Sequence, residues 1–151
     1  MAASGTMTGI VYYNKGVQLT VTYPSGGGGG AGSGIVLFAE GVPVLAVGGA
    51  GWCPSNCYGG GGYIGGTAGA GYRSWRAGYS WNGSLGNSTA RSGAGTGGYS
   101  YWNSTSSAGW AYGGTGYCAS GYSCSGGYAN SSGYVYPIIT YCGPFADSTC
   151  P

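Results

Sequence analysis

The chain lacks histidine and carries very little charge of either sign. Its two carboxylates and four cationic side chains, which leave a net charge of +2, are Glu40, Asp147, Lys15, Arg73, Arg76 and Arg91. Enzymes usually need titratable groups placed in pairs, and a cysteine nucleophile needs a neighbouring base. Because the two carboxylates are far apart in the sequence and no imidazole is present, we expect no catalytic residues and interpret the protein as non-enzymatic.

The same scarcity argues against metals, cofactors and nucleic acids. Without histidine and without a Cys-x-x-Cys spacing, a zinc site is not expected. A phosphate-binding loop would need a lysine after its glycines, and none follows here. Three arginines near tyrosine and tryptophan make a weak electrostatic footprint for nucleic acid. We therefore expect no metal, no cofactor and no nucleic-acid partner.

Long hydrophobic runs are also missing. The most apolar stretch, residues 35–47, is interrupted by Glu40, Gly41 and Pro43, and it is too short to span a membrane. The first residues do not show the basic and apolar regions of a signal peptide. We expect no membrane insertion, and an extracellular or virion-surface location reached by a mature chain or by another export route.

Glycine and aromatic residues dominate instead. The 151 residues include 38 glycines, 16 tyrosines and 5 tryptophans. Glycine-rich chains of low hydrophobicity are often disordered, but such chains are usually charged and poor in aromatics. Fixing each glycine costs about 0.5–1 kcal/mol more than fixing alanine, so an ordered fold needs compensating contacts. The composition favours an ordered chain with such contacts.

Six cysteines fall into three close couples. An even number in a small chain of low charge indicates disulfides in an oxidising compartment, with free buried thiols as the alternative. Six cysteines allow 15 pairings, and pairing between neighbours is the simplest. The candidate disulfide residues are Cys53, Cys57, Cys118, Cys124, Cys142 and Cys150.

Four Asn-x-Ser/Thr sequons offer candidate glycosylation sites. Several would arise by chance in a chain rich in Asn, Ser and Thr, and they matter only if the chain passes through a secretory pathway. The four asparagines are Asn82, Asn87, Asn103 and Asn130.

The chain divides by composition into two parts that we expect to form one continuous domain. Residues 1–50 read as a β-strand-rich part, with strand-like runs at 9–13, 17–23, 34–38 and 42–47. Alternation of Val17, Leu19 and Val21 with polar residues predicts one buried face for the second run. The third and fourth runs read as fully buried, and Pro43 places the fourth at an edge or at a strand start.

Residues 51–151 are rich in Gly, Tyr and Trp and contain all the cysteines. A Gly-Tyr dipeptide recurs there, and short periods of this kind suit extended segments with tight turns. The final strand-like run is 134–142. Dense aromatic stretches suit protein or sugar recognition, because they give large rigid contacts, but they equally suit covering a glycine core or joining identical subunits. The candidate binding or assembly residues are Trp75, Tyr79, Trp81, Tyr101, Trp102 and Trp110.

The stretch CYGGGGYIGG at residues 57–66 contains four consecutive glycines, which are either a flexible linker or a packed part of the fold. A glycine run alone in water is a flexible linker. A glycine run among neighbours can instead pack its backbone against theirs, because extended segments without side chains approach closely and exchange hydrogen bonds. The absence of charge favours the packed arrangement, with the linker as the alternative.

Residues 59–66 (GGGGYIGG), preceded by VPVLAVGGAG at 42–51, resemble the glycine-rich domain of the anaplastic lymphoma kinase and leukocyte tyrosine kinase receptors. Related modules in bacteriophage tail-fibre adhesins look similar. The resemblance covers mainly residues 17–70, and nothing in the chain resembles a kinase, a transmembrane helix or a growth-factor-like module. It implies β-strands that frame packed polyglycine-II helices, in a module that recognises a partner or a host surface.

We therefore expect an all-β or irregular fold: short strands framing glycine-rich, polyglycine-II-like segments, pinned by disulfides, with essentially no helix. The first functional hypothesis is a structural protein that assembles with copies of itself into an extracellular or virion-surface fibre, filament or coat, since low charge removes repulsion between copies. The alternative is an adhesin or receptor-binding module whose aromatic loops bind a host receptor or glycan. A third hypothesis, an antifreeze protein, fits poorly with bulky rings.

Overall fold

In a computed structural model of the protein, the residues that can be described are 5–9, 16–28, 31–53, 57–65, 75–84, 86, 97, 100–103, 108–111 and 113–128. They contain ten strands and no helix: β1 (Gly5–Gly9), β2 (Leu19–Thr22), β3 (Ile35–Ala39), β4 (Val42–Val47), β5 (Cys57–Tyr58), β6 (Trp75–Arg76), β7 (Ser100–Asn103), β8 (Ala108–Ala111), β9 (Gly116–Cys118) and β10 (Cys124–Tyr128).

The largest sheet is antiparallel, with the strand order β2-β3-β4-β9. Its β3–β4 hairpin turns on Glu40 and Gly41, which both have positive φ angles, 49° and 76°. This is the backbone of the two-residue hairpin loops that match the twist of the flanking strands. Gln18 supports the turn, because its N–H donates to a Glu40 carboxylate oxygen at 3.1 Å while its carbonyl accepts the Glu40 N–H at 3.0 Å.

One face of this sheet holds the hydrophobic core. Thr22, Val36, Ala46 and Tyr117 lie opposite one another across the four strands. Val36 and Ala46 are buried together with Phe38 on the same face, and Tyr117 packs against them. The core of the sheet is therefore built from apolar residues of the two central strands, within the two runs that the sequence marks as apolar.

The opposite face differs from the expectation. Leu19 is 40% exposed and Val21 only half-buried, so the predicted buried face of residues 17–23 is wrong. In the described structure β2 pairs with β3 alone, and Val21 lies opposite Leu37 on the face away from the core. The expectation that β3 and β4 are fully buried is also wrong, because both strands contain half-buried residues and β4 begins with the exposed Val42. Pro43 lies at the start of β4, beside a register shift, in agreement with one of its two expected places.

The two compositional parts of the chain share strand pairings. β9 pairs with β4, and β10 pairs antiparallel with β1. A disulfide between Cys118 and Cys124, with α-carbons 6.2 Å apart, joins the end of β9 to the start of β10. Most of the run predicted at 9–13, and all of that at 134–142, lie outside the described residues.

A second disulfide closes a small loop before the central glycine run. Cys53 is bonded to Cys57, with α-carbons 4.1 Å apart. Beside it, Trp52 and Tyr58 exchange two backbone hydrogen bonds, of 2.9 and 2.8 Å. Two of the three neighbouring cysteine couples are therefore joined as the simplest pairing expects, while Cys142 and Cys150 lie outside the described part of the chain.

Residues 59–65, which we call the central glycine segment, lie in the middle of a bundle of extended segments. Its backbone is hydrogen bonded to residues from five other parts of the chain. The bonds, all between 2.8 and 3.1 Å, are Gly27 N to Gly59 O, Gly61 N to Gly32 O, Gly49 N to Gly61 O, Gly62 N to Tyr79 O and Gly97 N to Gly65 O. These five backbone groups of the segment thus find their partners in neighbouring segments rather than in water.

Close approach within this bundle requires glycine at particular positions. A Cβ atom built on Gly61 would overlap the Pro24 carbonyl oxygen, and one on Gly78 would overlap the Gly60 carbonyl oxygen. Both obstacles are backbone atoms, which cannot rotate aside as the end of a flexible side chain can. The glycine run at 59–62 is consequently a packed element in the described structure, and the linker alternative is wrong there.

The expected fold class is confirmed in its short strands, its disulfides and the lack of helix among the described residues, while the polyglycine-II character of the glycine segments stays a prediction. The described residues form short, mostly antiparallel strands around extended glycine segments, with two disulfides and no helix. No helix in the described ranges is long and apolar enough to cross a membrane.

Candidate functional site

Four aromatic rings connect the glycine bundle to the core of the main sheet. Tyr63, in the central glycine segment, stacks on Tyr117 of β9 with ring centroids 4.8 Å apart. The ring of Tyr63 is also nearly parallel to that of Trp81, at 6.5 Å, and Phe38 of β3 meets Trp81 edge to face at 5.1 Å. Such pairs stabilise beyond the area they bury, by about 0.5–1.5 kcal/mol each. These contacts hold the Trp81 indole in place.

Beside this aromatic cluster lies an open groove of about 360 Å³, with three exposed aromatic side chains. Tyr23 is 57% exposed, and Tyr79 and Trp81 are each 41% exposed. Thr22, Ser25 and Ser80 also line the groove. We refer to this site as the aromatic groove. All of its described lining residues are uncharged.

The glycine bundle sets the position of both groove walls. One wall follows the end of β2, at residues 23–25, and the other is formed by residues 79–83. The Tyr79 N–H donates to the Ser25 carbonyl at 2.8 Å, and the Tyr79 carbonyl accepts the Gly62 N–H at 3.1 Å. Tyr79 is thereby held from both sides by backbone hydrogen bonds, so the groove is built on a rigid scaffold and not on a free loop.

A short polar loop completes the second wall. Ser80 is buried, and its N–H donates to the Ser84 carbonyl at 2.8 Å. The Gly83 N–H donates to the Ser80 carbonyl at 2.9 Å, and Gly83 has a φ of 80°. A three-residue hairpin loop with glycine in the left-handed region has this arrangement. It places Trp81 and Gly83 at the groove, and Asn82 between them is exposed.

The structure brings two of the predicted binding residues together. Tyr79 and Trp81 share the aromatic groove. Trp75 lies in β6 opposite Cys57, and Trp102 lies in β7 opposite Gly109 of β8. Tyr101 of β7 is paired with Trp110 of β8 in the strand register. The structure therefore places the six candidate residues in three different places: the aromatic groove, the β5–β6 pair and the β7–β8 pair.

The candidate glycosylation sites lie in different settings. Asn82 is exposed in the loop at 80–84, and Asn103 is the last residue of β7. Asn87 and Asn130 lie outside the described residues.

Sequence reasoning missed Tyr23, Tyr63 and Tyr117. Tyr63 and Tyr117 belong to the Gly-Tyr repeat, which was a signal for aromatic packing although it did not show which rings would meet. Tyr23 stands alone between a strand and Pro24 rather than in a dense aromatic stretch. Its place in the groove depends on the hydrogen bond between Ser25 and Tyr79, which joins positions more than fifty residues apart.

Comparison with known proteins adds no family assignment. The chain matches no protein-family model, and it has no significant match among curated proteins or among solved structures.

Proposed function

We propose that this protein is a non-enzymatic recognition module, extracellular or on a virion surface, whose glycine bundle holds an aromatic groove for a neutral glycan. The observation that carries the proposal is the grouping of Tyr23, Tyr79 and Trp81 around a concave surface on a rigid backbone scaffold. Two disulfides support an oxidising, extracellular environment.

The chemistry of the groove favours an uncharged ligand with both apolar and hydroxyl surfaces. The C–H faces of a sugar ring stack on tyrosine and tryptophan rings, and its hydroxyls can exchange hydrogen bonds with Thr22 and with the exposed Ser25 at the groove. With no charge among the described lining residues, an ionic ligand would lose hydration without gaining a partner. Pre-organised rings also limit the entropy that binding costs.

A glycan array with purified protein tests this proposal. Wild-type protein should bind a subset of neutral glycans, and Tyr79→Ala and Tyr23→Ala should each weaken that binding at least about tenfold, or about 1.4 kcal/mol. Ile64→Ala is the matched control, because Ile64 is 45% exposed and does not line the groove. Failure to bind any glycan, or equal binding by all variants, would reject the groove as a glycan site.

The resemblance to polyglycine-II modules supports the same function. Those modules present recognition surfaces on packed glycine segments, and here the central glycine segment contacts five other parts of the chain. We propose that these segments form a polyglycine-II-like bundle and that the groove is the surface the bundle presents.

A second candidate function is self-assembly into a fibre or coat. It is favoured by the outer face of the main sheet, where Leu19 and Val42 both lie next to Ala39 in the strand pairing. Leu19 is 40% exposed and Val42 60% exposed, and neighbouring Val21 and Leu37 are half-buried. Exposed apolar faces of this kind are characteristic of contact surfaces.

Light scattering after size-exclusion chromatography distinguishes the two candidates. Self-assembly predicts particles much larger than the 14.9 kDa chain, and their conversion toward the monomer by Leu19→Asp combined with Val42→Asp. A wild-type monomer at all concentrations would reject self-assembly and leave the recognition module standing.

A further inference from the structure

The hairpin loop at residues 80–84 organises hydrogen-bond donors around one side-chain carbonyl. The Asn82 Oδ1 atom lies 3.1 Å from the Ser84 backbone nitrogen, 2.6 Å from the Ser84 Oγ and 2.8 Å from the Ser80 Oγ. A backbone N–H can only donate, so the Asn82 atom that faces it is the oxygen and not the amide nitrogen. The carbonyl group of the Asn82 side chain is therefore polarised by up to three donors.

The residue after Asn82 is glycine, the residue type whose backbone nitrogen is least shielded by a side chain. Asn82-Gly83 is the only Asn-Gly dipeptide in the sequence, and the other three sequons are Asn-Ser. Gly83 has a φ of 80°, and open space lies where its side chain would be. Asn82 itself is exposed, so water and base reach the loop.

We propose that Asn82 is a self-modification site at which the chain converts its own asparagine to aspartate or isoaspartate. The Gly83 nitrogen attacks the Asn82 Cγ, and a new C–N bond forms while the carbonyl electron pair moves onto Oδ1. Collapse of this intermediate breaks the bond between Cγ and Nδ2, and ammonia leaves with the proton from Gly83, carried by water. Water then opens the cyclic imide on either side and yields a carboxylate.

The donors around Oδ1 act where negative charge develops. Hydrogen-bond donors that are already in place stabilise an oxyanion without reorganising during the reaction. The Ser84 N–H donates to Oδ1, and the Ser84 and Ser80 hydroxyls compete to do so. Each hydroxyl has one proton, and the two oxygens also lie 2.5 Å from each other, while the Ser80 Oγ lies 3.0 Å from the Ser84 carbonyl oxygen. The folded loop should therefore accelerate ring closure relative to the same sequence in an unfolded chain.

One hydrogen bond of the folded loop slows the reaction, and the loop must open locally before the Gly83 nitrogen can attack. The Gly83 N–H donates to the Ser80 carbonyl at 2.9 Å, and this bond must break before the nitrogen can attack. Brief opening of that bond, with the Ser84 contacts retained, gives the reactive arrangement. The outcome adds one negative charge between two residues that line the aromatic groove, Trp81 and Gly83, and lowers the net charge from +2 to +1, that is, 2 − 1.

Peptide mapping by mass spectrometry during incubation of the full chain at mildly alkaline pH tests the proposal, whatever the groove binds. We expect loss of ammonia and then aspartate or isoaspartate at Asn82, at least about tenfold faster in folded than in denatured protein. This is below the ~100-fold that a single donor contributes in an enzyme oxyanion hole. The Asn-Ser sites at Asn87, Asn103 and Asn130 serve as internal controls.

Two variants separate donor chemistry from loop stability. Ser84→Ala and Ser80→Ala should each slow the folded reaction toward the denatured rate and leave the denatured rate unchanged. A purely structural role would instead loosen the loop, free the Gly83 N–H and speed the folded reaction. A folded rate equal to or below the denatured rate, faster reaction in both variants, or a glycan on Asn82 that blocks the amide would each overturn the proposal.

Discussion

Gly60 lies so close to Gly49 that a Cβ atom on Gly60 would overlap the Gly49 carbonyl oxygen. The two residues belong to separate segments of the bundle, and the next residue, Gly61, accepts a hydrogen bond from the Gly49 N–H at 2.8 Å. The contact is between two backbones, and the hydrogen bond from Gly49 to Gly61 holds the two segments at this short distance. The absence of a side chain at Gly60 is therefore a packing requirement.

Gly60→Ala should destabilise the fold by about 3 kcal/mol, the upper part of the usual range for an overpacked core. Gly121→Ala is the control, because Gly121 has a φ of 91° but open space around it, so only backbone strain of about 1 kcal/mol is expected there. Denaturant unfolding followed by tryptophan fluorescence measures both. Equal costs for the two variants would mean that close approach does not matter at Gly60.

Hydrogen exchange should show strong protection of the central glycine segment. The Gly61 and Gly62 amides donate to carbonyl groups of other segments at 3.0 and 3.1 Å, so their exchange requires the bundle to open. The measurement is amide exchange in native protein, with rates from the denatured chain as the reference. Native rates for these glycines that match the denatured reference would restore the flexible-linker interpretation.

Trp81→Ala and Tyr79→Ala should separate stability from binding. Trp81 contacts Phe38 and Tyr63, so its truncation should cost about 2 kcal/mol, less than the 3–5 kcal/mol of a fully buried tryptophan. Tyr79 is 41% exposed and is positioned through its backbone, and its truncation should cost under about 1 kcal/mol.

Thermal unfolding of the two variants, with circular dichroism as the readout, checks this difference. If Tyr79→Ala unfolds the protein as readily as Trp81→Ala, the tyrosine ring is a structural element and the groove loses one of its binding walls.

Replacing Cys118 and Cys124 together by serine should lower the free energy of unfolding by about 2 kcal/mol, the chain-entropy estimate for a loop of this length. In reducing buffer both proteins also lose the Cys53–Cys57 bond, so the wild type and the variant should then have similar stabilities. Denaturant unfolding with and without reductant provides the comparison. A variant that stays as stable as the oxidised wild type would show that β9 and β10 are held without the disulfide.

The sequence predicted local features better than distant pairings. The cysteine couples lie four and six residues apart, so chain connectivity alone brings them near each other. The turn at Glu40 and Gly41 is also local, and the strands on either side were found. Residues 59–62 were predicted to pack against other segments, because the backbone groups of a glycine run in a chain with so few charges need hydrogen-bond partners other than water.

The partners of that run could not be predicted, since glycine has no side chain that would specify one neighbouring segment over another. The predicted buried face of residues 17–23 was wrong for a related reason. Alternation shows that a strand has two faces, but it does not show that the Val21 face points away from the core. The aromatic groove was half predicted, because Tyr79 and Trp81 stand in a dense stretch and Tyr23 does not.

The hydrogen-bond partners of the central glycine segment also determine when the molecule can fold during its synthesis. The segment at 59–65 is hydrogen bonded to residues 27, 32 and 49, which are made before it, and to residues 79 and 97, which are made after it. In a nascent chain that has emerged only as far as residue 65, the backbone groups of the central glycine segment that bond to residues 79 and 97 still lack these partners. Completion of the bundle must wait until residue 97 has left the ribosome, so a pause in translation between these points would lengthen the life of an aggregation-prone intermediate.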